Sequence, residues 1–318
     1  MSDRVMVTGA AGFVGSQLAE RLLADGYHVI GVDCLTDYYD VRIKQANLSE
    51  LLANDRFEFV GQSLNDLDLE ALLRDVSCVF HQAAQAGVRA SWGEQFDTYI
   101  DSNIRATQRL CEAARTASLS KLVYASSSSV YGETATLPMS ETHLTRPVSP
   151  YGVTKLDAEN MCLLYQANYR VPVVCLRYFT VYGPRQRPDM AFHRFIRAGL
   201  TGAPINVYGN GEQTRDFTFV DDIVAANIAA MKYEGNERVF NIGGGSRVTV
   251  NHTLDIIGRH VPSLDVKYVN REHGDVTHTF ADVSLAAREL GYAPTVGLDD
   301  GLEREVEWIK FTYKRLEA

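Results

Sequence analysis

Cysteine is scarce in this sequence. The five present, Cys34, Cys78, Cys111, Cys162 and Cys175, are odd in number and far apart, with no CxxC pair and no Cys/His spacing suited to a metal. That pattern argues against a disulfide framework and against a metal site, and predicts reduced, buried thiols. Runs of Lys or Arg are missing and the net charge is −9, so no electrostatic stripe for nucleic acid is available and no such partner is expected. No apolar stretch reaches membrane-spanning length. The first residues run straight into a strand and a glycine loop, without the apolar core or cleavage site of a secretory leader. The expected location is the cytoplasm, with no membrane partner. Repeats, low-complexity tracts and flexible linkers are also lacking, which leaves a compact chain with a fixed cleft as the expectation.

What is present is alternation. Apolar runs at 4–7, 28–32, 57–60, 76–80, 122–125 and 173–177 read as buried parallel strands. Between them, 15–25, 67–74, 101–117 and 150–169 have helical periodicity. This predicts an α/β fold, a doubly wound parallel sheet of Rossmann type. After about residue 178 the chain turns richer in Gly, Pro and aromatic residues. The expected division is a dinucleotide-binding domain over 1–178, with returns from about 214–246, and a smaller, mainly substrate-binding region over 179–318.

The first predicted strand is followed by Thr8-Gly9-Ala10-Ala11-Gly12-Phe13-Val14-Gly15 and then a helix. Such a turn leaves backbone N–H groups facing a pyrophosphate, so Gly9, Gly12, Phe13, Val14 and Gly15 are candidate cofactor contacts. Asp33 ends the second strand, where a carboxylate can accept from both ribose hydroxyls and would repel a 2′-phosphate. The expected cofactor is therefore NAD rather than NADP. Arg42 and Lys44, close by, read as a solvated helix face. His81, behind an apolar strand, reads as a hydrogen-bonded core imidazole.

Tyr151 and Lys155 stand at i and i+4, on one helix face. One strand earlier, Ala125-Ser126-Ser127-Ser128-Ser129-Val130-Tyr131-Gly132 places hydroxyls at a strand's carboxyl end, where doubly wound sheets build their sites. A free Tyr has a pKa of about 10. A neighbouring ammonium lowers it, which suits Tyr151 to move a proton near neutral pH.

Taken together, GxxGxxG, Asp33, the Ser-rich strand end, YxxxK and Arg177-Tyr178-Phe179 resemble the extended short-chain dehydrogenases/reductases along nearly the whole chain. Within that family, 81–89, Asp37-Tyr38-Tyr39-Asp40 and the segment from Phe179 to Ala191 are most similar to UDP-glucuronate 4-epimerases. The resemblance implies an isomerase with Tyr151 as acid/base, Lys155 beside it, and Ser127, or else Ser128, on the reacting oxygen. It implies that Ala83, Ala84, Asn103 and Tyr178 complete the NAD lining. For the UDP-sugar it implies Gln85, Ser127, Ser128, Ser129 and Thr180, with Arg185 or Arg187 on the uronate carboxylate. Val207 and Tyr208 would flank the uracil, Arg215 would meet the diphosphate, Gln213 would also bind substrate, and Arg271 and Asp275 would close the pocket. Relatives pair as dimers through helices matching 101–117 and 150–169, so a homodimer is expected. Serine at 128 and 129 departs from the acidic residues of related dehydratases and decarboxylases, which points to simple epimerisation. Ser63 stands where relatives often carry an adenine-contacting Asp. Two other readings remain open: a 4-epimerase of UDP-glucose or UDP-N-acetylglucosamine, and a non-catalytic NAD-binding regulator.

Overall fold

The computed structural model describes residues 3–134, 136–270, 274 and 276–316. Arg271 and Asp275 lie outside them. The strands are β1 (Arg4–Thr8), β2 (His28–Val32), β3 (Phe57–Val60), β4 (Cys78–His81), β5 (Lys121–Ser127), β6 (Val173–Tyr178), β7 (Thr180–Tyr182), β8 (Pro204–Tyr208), β9 (Thr214–Phe219), β10 (Val239–Ile242), β11 (Arg247–Thr249) and β12 (Asp265–Val269). Seven of them form a parallel sheet in the order β10-β6-β5-β4-β1-β2-β3. Strand order reverses between β1 and β4, and the crevice at the carboxyl ends there is where such sheets bind ligands.

Continuous apolar runs explain the sheet's burial on both faces. Val5, Val7, Phe80, Val123 and Val174 pack one way, under the helices Phe13–Ala24 and Val220–Lys232. Met6, Val79, Leu122, Tyr124 and Cys175 pack the other way, under Ala106–Ala114 and Pro150–Tyr169. The last of these helices begins with Ser149, whose hydroxyl accepts from the Gly152 amide at 3.1 Å, and with Pro150 in the first turn. It ends where Arg170 turns into the left-handed region, φ 60°.

Several expectations are corrected. The helix expected at 67–74 is a single turn, Leu69–Leu72. That at 101–117 starts earlier, at Phe96–Tyr99, and passes through a wide π turn, Ile100–Arg105, before Ala106–Ala114. Of the expected return at 214–246, the helix Val220–Lys232 packs on the large sheet and β10 joins it as a strand. β9 lies in a separate three-stranded sheet with β7 and β11, and β8 pairs with β12. Phe192, Ile196, Ile257, Leu302 and Val306 bind these small sheets into a second core. Four cysteines are buried as expected, but Cys34 is exposed. Among the described residues no helix is long and apolar enough to cross a membrane.

Glu159, buried on the helix Pro150–Tyr169, accepts from Arg177 of β6 through Nε at 3.0 Å and Nη2 at 2.5 Å. Ser126 of β5 donates to the same carboxylate at 2.5 Å. Removing one partner strands the other charge in the core, at a cost of about 3–5 kcal/mol. Glu159→Ala is expected to lower stability by that amount in denaturant unfolding; a loss under 1 kcal/mol would mean that water reaches Arg177.

Candidate active site

A cleft of about 840 Å³ opens at the carboxyl ends of the strands, between the large sheet and the smaller region. Its dinucleotide end is built on close backbone approach. Gly9 has φ 69°, and a Cβ there would come within 2.9 Å of the Ala83 nitrogen. A Cβ on Gly15 would overlap the Gly9 carbonyl oxygen. Gly12 precedes the helix Phe13–Ala24 and offers no capping side chain, so the first amides of that helix are left for an anion. Asp33 accepts from Ala11 N at 3.0 Å and Leu35 N at 2.8 Å, which fixes its carboxylate at the rim with lone pairs to spare for hydroxyl donors. This arrangement fits an adenine dinucleotide with an unphosphorylated ribose.

Lys44 is not on a solvated face. It is buried, lines the cleft and donates to the carbonyl and hydroxyl of Thr36 at 2.8 and 3.0 Å, while Arg42 turns outward to Asp40. His81 is a core imidazole between Thr8 at 2.8 Å and Thr107 at 2.9 Å, pushed down to about 3 by burial. Thr8 in turn accepts from Ala83 N at 3.0 Å, so this chain props the 83–85 segment against the sheet.

Ala83, Ala84, Gln85 and Tyr178 line the cleft. Tyr178 sits in a closed triangle, donating to Gln82 at 3.1 Å and accepting from Asn227 at 2.7 Å, while Gln82 donates to Asn227 at 3.0 Å. Asn103 is not in the lining. It is buried one layer back, where it holds Gln85 through N–H and C=O at 2.7 and 3.0 Å and donates to the Thr154 hydroxyl at 3.0 Å.

At the cleft's centre the helix Pro150–Tyr169 brings Tyr151 and Lys155 to the ends of β5 and β6. The Ser127 hydroxyl, which accepts from the Ser129 amide at 3.1 Å, lies close enough to the Tyr151 phenol to favour its ionised form. Ser128 and Ser129 line the same wall. Burial holds the Tyr151 phenol above its ordinary value, against the opposing pulls of Ser127 and of the Arg187 charge. Lys155 is 3% exposed, with Nζ 4.5 Å from the centroid of the Tyr124 ring, and burial pushes it down to about 8.

The two expected carboxylate readers part company. Arg185, at φ 69°, points out of the cleft and donates to Ser16 at 3.0 Å and Glu20 at 2.6 Å. Arg187 lines the cleft and is held by Asp189. Thr180, Val207, Tyr208, Gln213 and Arg215 also line it. Gln213 donates to the Tyr208 carbonyl at 2.9 Å, Arg89 lies 3.9 Å over the Tyr208 ring, and Arg215 reaches the carbonyls of Val276 and Thr277 at 2.7 and 3.1 Å. Among the described residues there is no cluster of three or more His, Cys, Asp or Glu side chains suited to a metal.

Known proteins share this fold. The profile of the NAD dependent epimerase/dehydratase family matches residues 5–243. The chain belongs to this family. A UDP-glucuronate 4-epimerase of Thermodesulfobacterium geofontis is 39% identical, over 96% of this chain and 95% of its own. A Bacillus subtilis relative, 43% identical over 98% and 99%, is known as an uncharacterized UDP-glucose epimerase, YtcB. The crystal structure of a Bacillus cereus UDP-glucuronic acid 4-epimerase, in complex with UDP-glucuronic acid and NAD, superposes with a TM-score of 0.94. It is 43% identical, covering 98% of this chain and all of that one.

Tyr38, Lys44 and Asp189 also line the cleft and were missed as site residues in the sequence. Asp189 lies two residues past an arginine, but such a pairing reads as a solvated turn until the fold aims it into a cleft. Lys155 supplies a measurable consequence. Its folded value is about 8, against about 10.4 in an unfolded chain, so between these pH values the unfolded state holds the extra proton and stability rises with pH. At pH 7 the buried ammonium costs on the order of 3 kcal/mol. Lys155→Met should therefore raise the melting temperature of the NAD-free protein by several degrees at pH 7, with the gain fading above about pH 10. A lowered melting temperature at pH 7 would show the ammonium to be well solvated.

Proposed function

We propose that the protein is a UDP-glucuronate 4-epimerase, interconverting UDP-glucuronate and UDP-galacturonate with NAD. The observation that carries the reading is the guanidinium of Arg187 in the cleft, close enough to Tyr151 for its charge to bear on the phenol. A planar fork of N–H donors matches a carboxylate, and a uronate carries one where a neutral hexose has a hydroxymethyl group. NAD, when bound, supplies the hydride acceptor and donor and adds a positive charge beside Tyr151. The phenolate of Tyr151 takes the proton from the sugar's 4-hydroxyl and returns it after the 4-keto sugar has turned over. Lys155 stabilises the phenolate, and Ser127 holds the oxygen. Val207 and Tyr208 suit the uracil, and Gln213 and Arg215 the diphosphate.

A neutral UDP-hexose is the second reading. The Arg187 charge is already matched by Asp189, and the Bacillus subtilis relative carries the UDP-glucose name. We propose, too, that the chain pairs with a second copy in the cytoplasm through the helices Ala106–Ala114 and Pro150–Tyr169. Val153, Leu164 and Tyr169 are exposed on the latter.

Proton NMR of the enzyme with NAD and each UDP-sugar in turn, read at the anomeric and H4 signals, tests the assignment. Conversion of UDP-glucuronate alone is expected; turnover of UDP-glucose alone would reassign Arg187. Tyr151→Phe should keep NAD and lose at least about 10²-fold in turnover; undiminished turnover would remove the mechanism. The 4-keto uronate is a β-keto acid, so a loosely held carboxylate can leave as CO₂. Arg187→Leu is expected to release UDP-pentose, and Arg185→Leu to lower stability without a change of product.

A further inference from the structure

Arg187 does not stand alone. Its Nε and Nη2 donate to Asp189 Oδ1 and Oδ2 at 3.0 and 2.9 Å, a side-on bidentate pair. That grip uses two of the five N–H donors of the guanidinium and leaves its Nη1/Nη2 edge, with three, for a second acceptor. Asp189 has a second neighbour in the cleft lining. The Tyr38 hydroxyl, on the loop that follows β2 and Asp33, lies beside Asp189 and Tyr99 in the cleft wall, where burial holds its proton more tightly, and near enough for the Asp189 charge to add to that hold. Tyr99 is anchored to the Ala86 and Gly87 carbonyls at 3.0 and 2.7 Å, and its ring stands edge-on to Tyr151 with centroids 6.4 Å apart. Gly87, at φ 106°, makes the reach possible, because a Cβ there would land on the Tyr38 hydroxyl.

We infer that Tyr38 and Asp189 are specificity-positioning residues, a two-step brace that aims the outer edge of Arg187 at the sugar carboxylate. The inference rests on the uronate reading of the site. Because Asp189 cancels the charge of Arg187, the pair offers an incoming carboxylate directed N–H donors rather than net charge. Direction then decides how well the carboxylate is held, and direction is what the brace supplies. A long arginine free to sample rotamers would hold the carboxylate less often and in more orientations, including those that cleave C5–C6 of the 4-keto sugar. Tyr38 also ties this brace to the loop bearing Asp33, so the adenosine end of the cleft and the sugar end share one support.

The test is steady-state kinetics on Tyr38→Phe, Asp189→Asn and the double variant, with UDP-glucuronate as substrate. UDP affinity is measured by calorimetry, and the UDP-pentose fraction by NMR. The expected result is a KM raised about tenfold by Asp189→Asn and several-fold by Tyr38→Phe, each with detectable UDP-pentose and with UDP affinity within twofold of wild type. The double variant should be no worse than Asp189→Asn, since the two act in series. Tighter UDP-glucuronate binding by Asp189→Asn would overturn the inference and make Asp189 a competitor for Arg187. Additive losses, or a parallel fall in UDP affinity, would overturn it in favour of general damage to the cleft. If the unaltered enzyme binds UDP but fails to turn over UDP-glucuronate, the functional reading falls first, and the brace loses its purpose with it.

Discussion

The buried pair of Glu159 and Arg177 fixes what the catalytic end can be. Tyr151, Lys155 and Glu159 follow one another at four-residue steps on one face of the helix Pro150–Tyr169, so rotation or sliding of that helix moves all three. Glu159 cannot be buried uncompensated, and its partners come from two adjacent strands, Ser126 of β5 and Arg177 of β6. The helix is thereby locked in register over the sheet. One turn toward the cleft, Lys155 is drawn into a nearly dry position, and one turn further Tyr151 meets Ser127.

Burial at this point pushes both groups toward neutrality, the ammonium down and the phenol up. The charge that bears on the phenol is that of Arg187, which favours the phenolate against the pull of burial. The site is therefore poised rather than pre-ionised: added positive charge in the cleft, such as an oxidised nicotinamide, shifts the balance toward phenolate. The same residues would be unremarkable on a solvated helix, where water would screen them and no shift would follow.

The repeating strand and helix pattern, the glycine loop and the Tyr/Lys pair were legible in the sequence, since each is local and each follows from a short-range rule. Long-range contacts were not legible. Asn103 was expected against the cofactor and instead stands behind Gln85; nothing in its own helix tells which layer it occupies. Lys44 looked solvated because its helix face is polar, yet the Thr36 loop folds over it and buries it. Within the stretch 214–246, read only as a return to the first domain, β9 is claimed as a partner by β7, immediately after β6. That competition between strands has no local signature.

The loop from Gly183 to Asp189 shows how two arginines two residues apart take opposite duties. Its start is pinned by Glu305 of the helix Leu298–Leu316, which accepts the Gly183 amide at 2.8 Å. Gln17 of the helix Phe13–Ala24 donates to the Pro184 carbonyl at 2.9 Å. The left-handed backbone at Arg185 then throws its side chain onto Ser16 and Glu20 of that same helix. The helix that starts at the dinucleotide loop is thus bolted to the segment that carries Arg187. Sugar and cofactor are consequently read from one rigid frame, as hydride transfer between two bound molecules requires: an error of about 1 Å between them costs on the order of 10²-fold in rate. Arg185, outside the cleft lining, is part of that fastening.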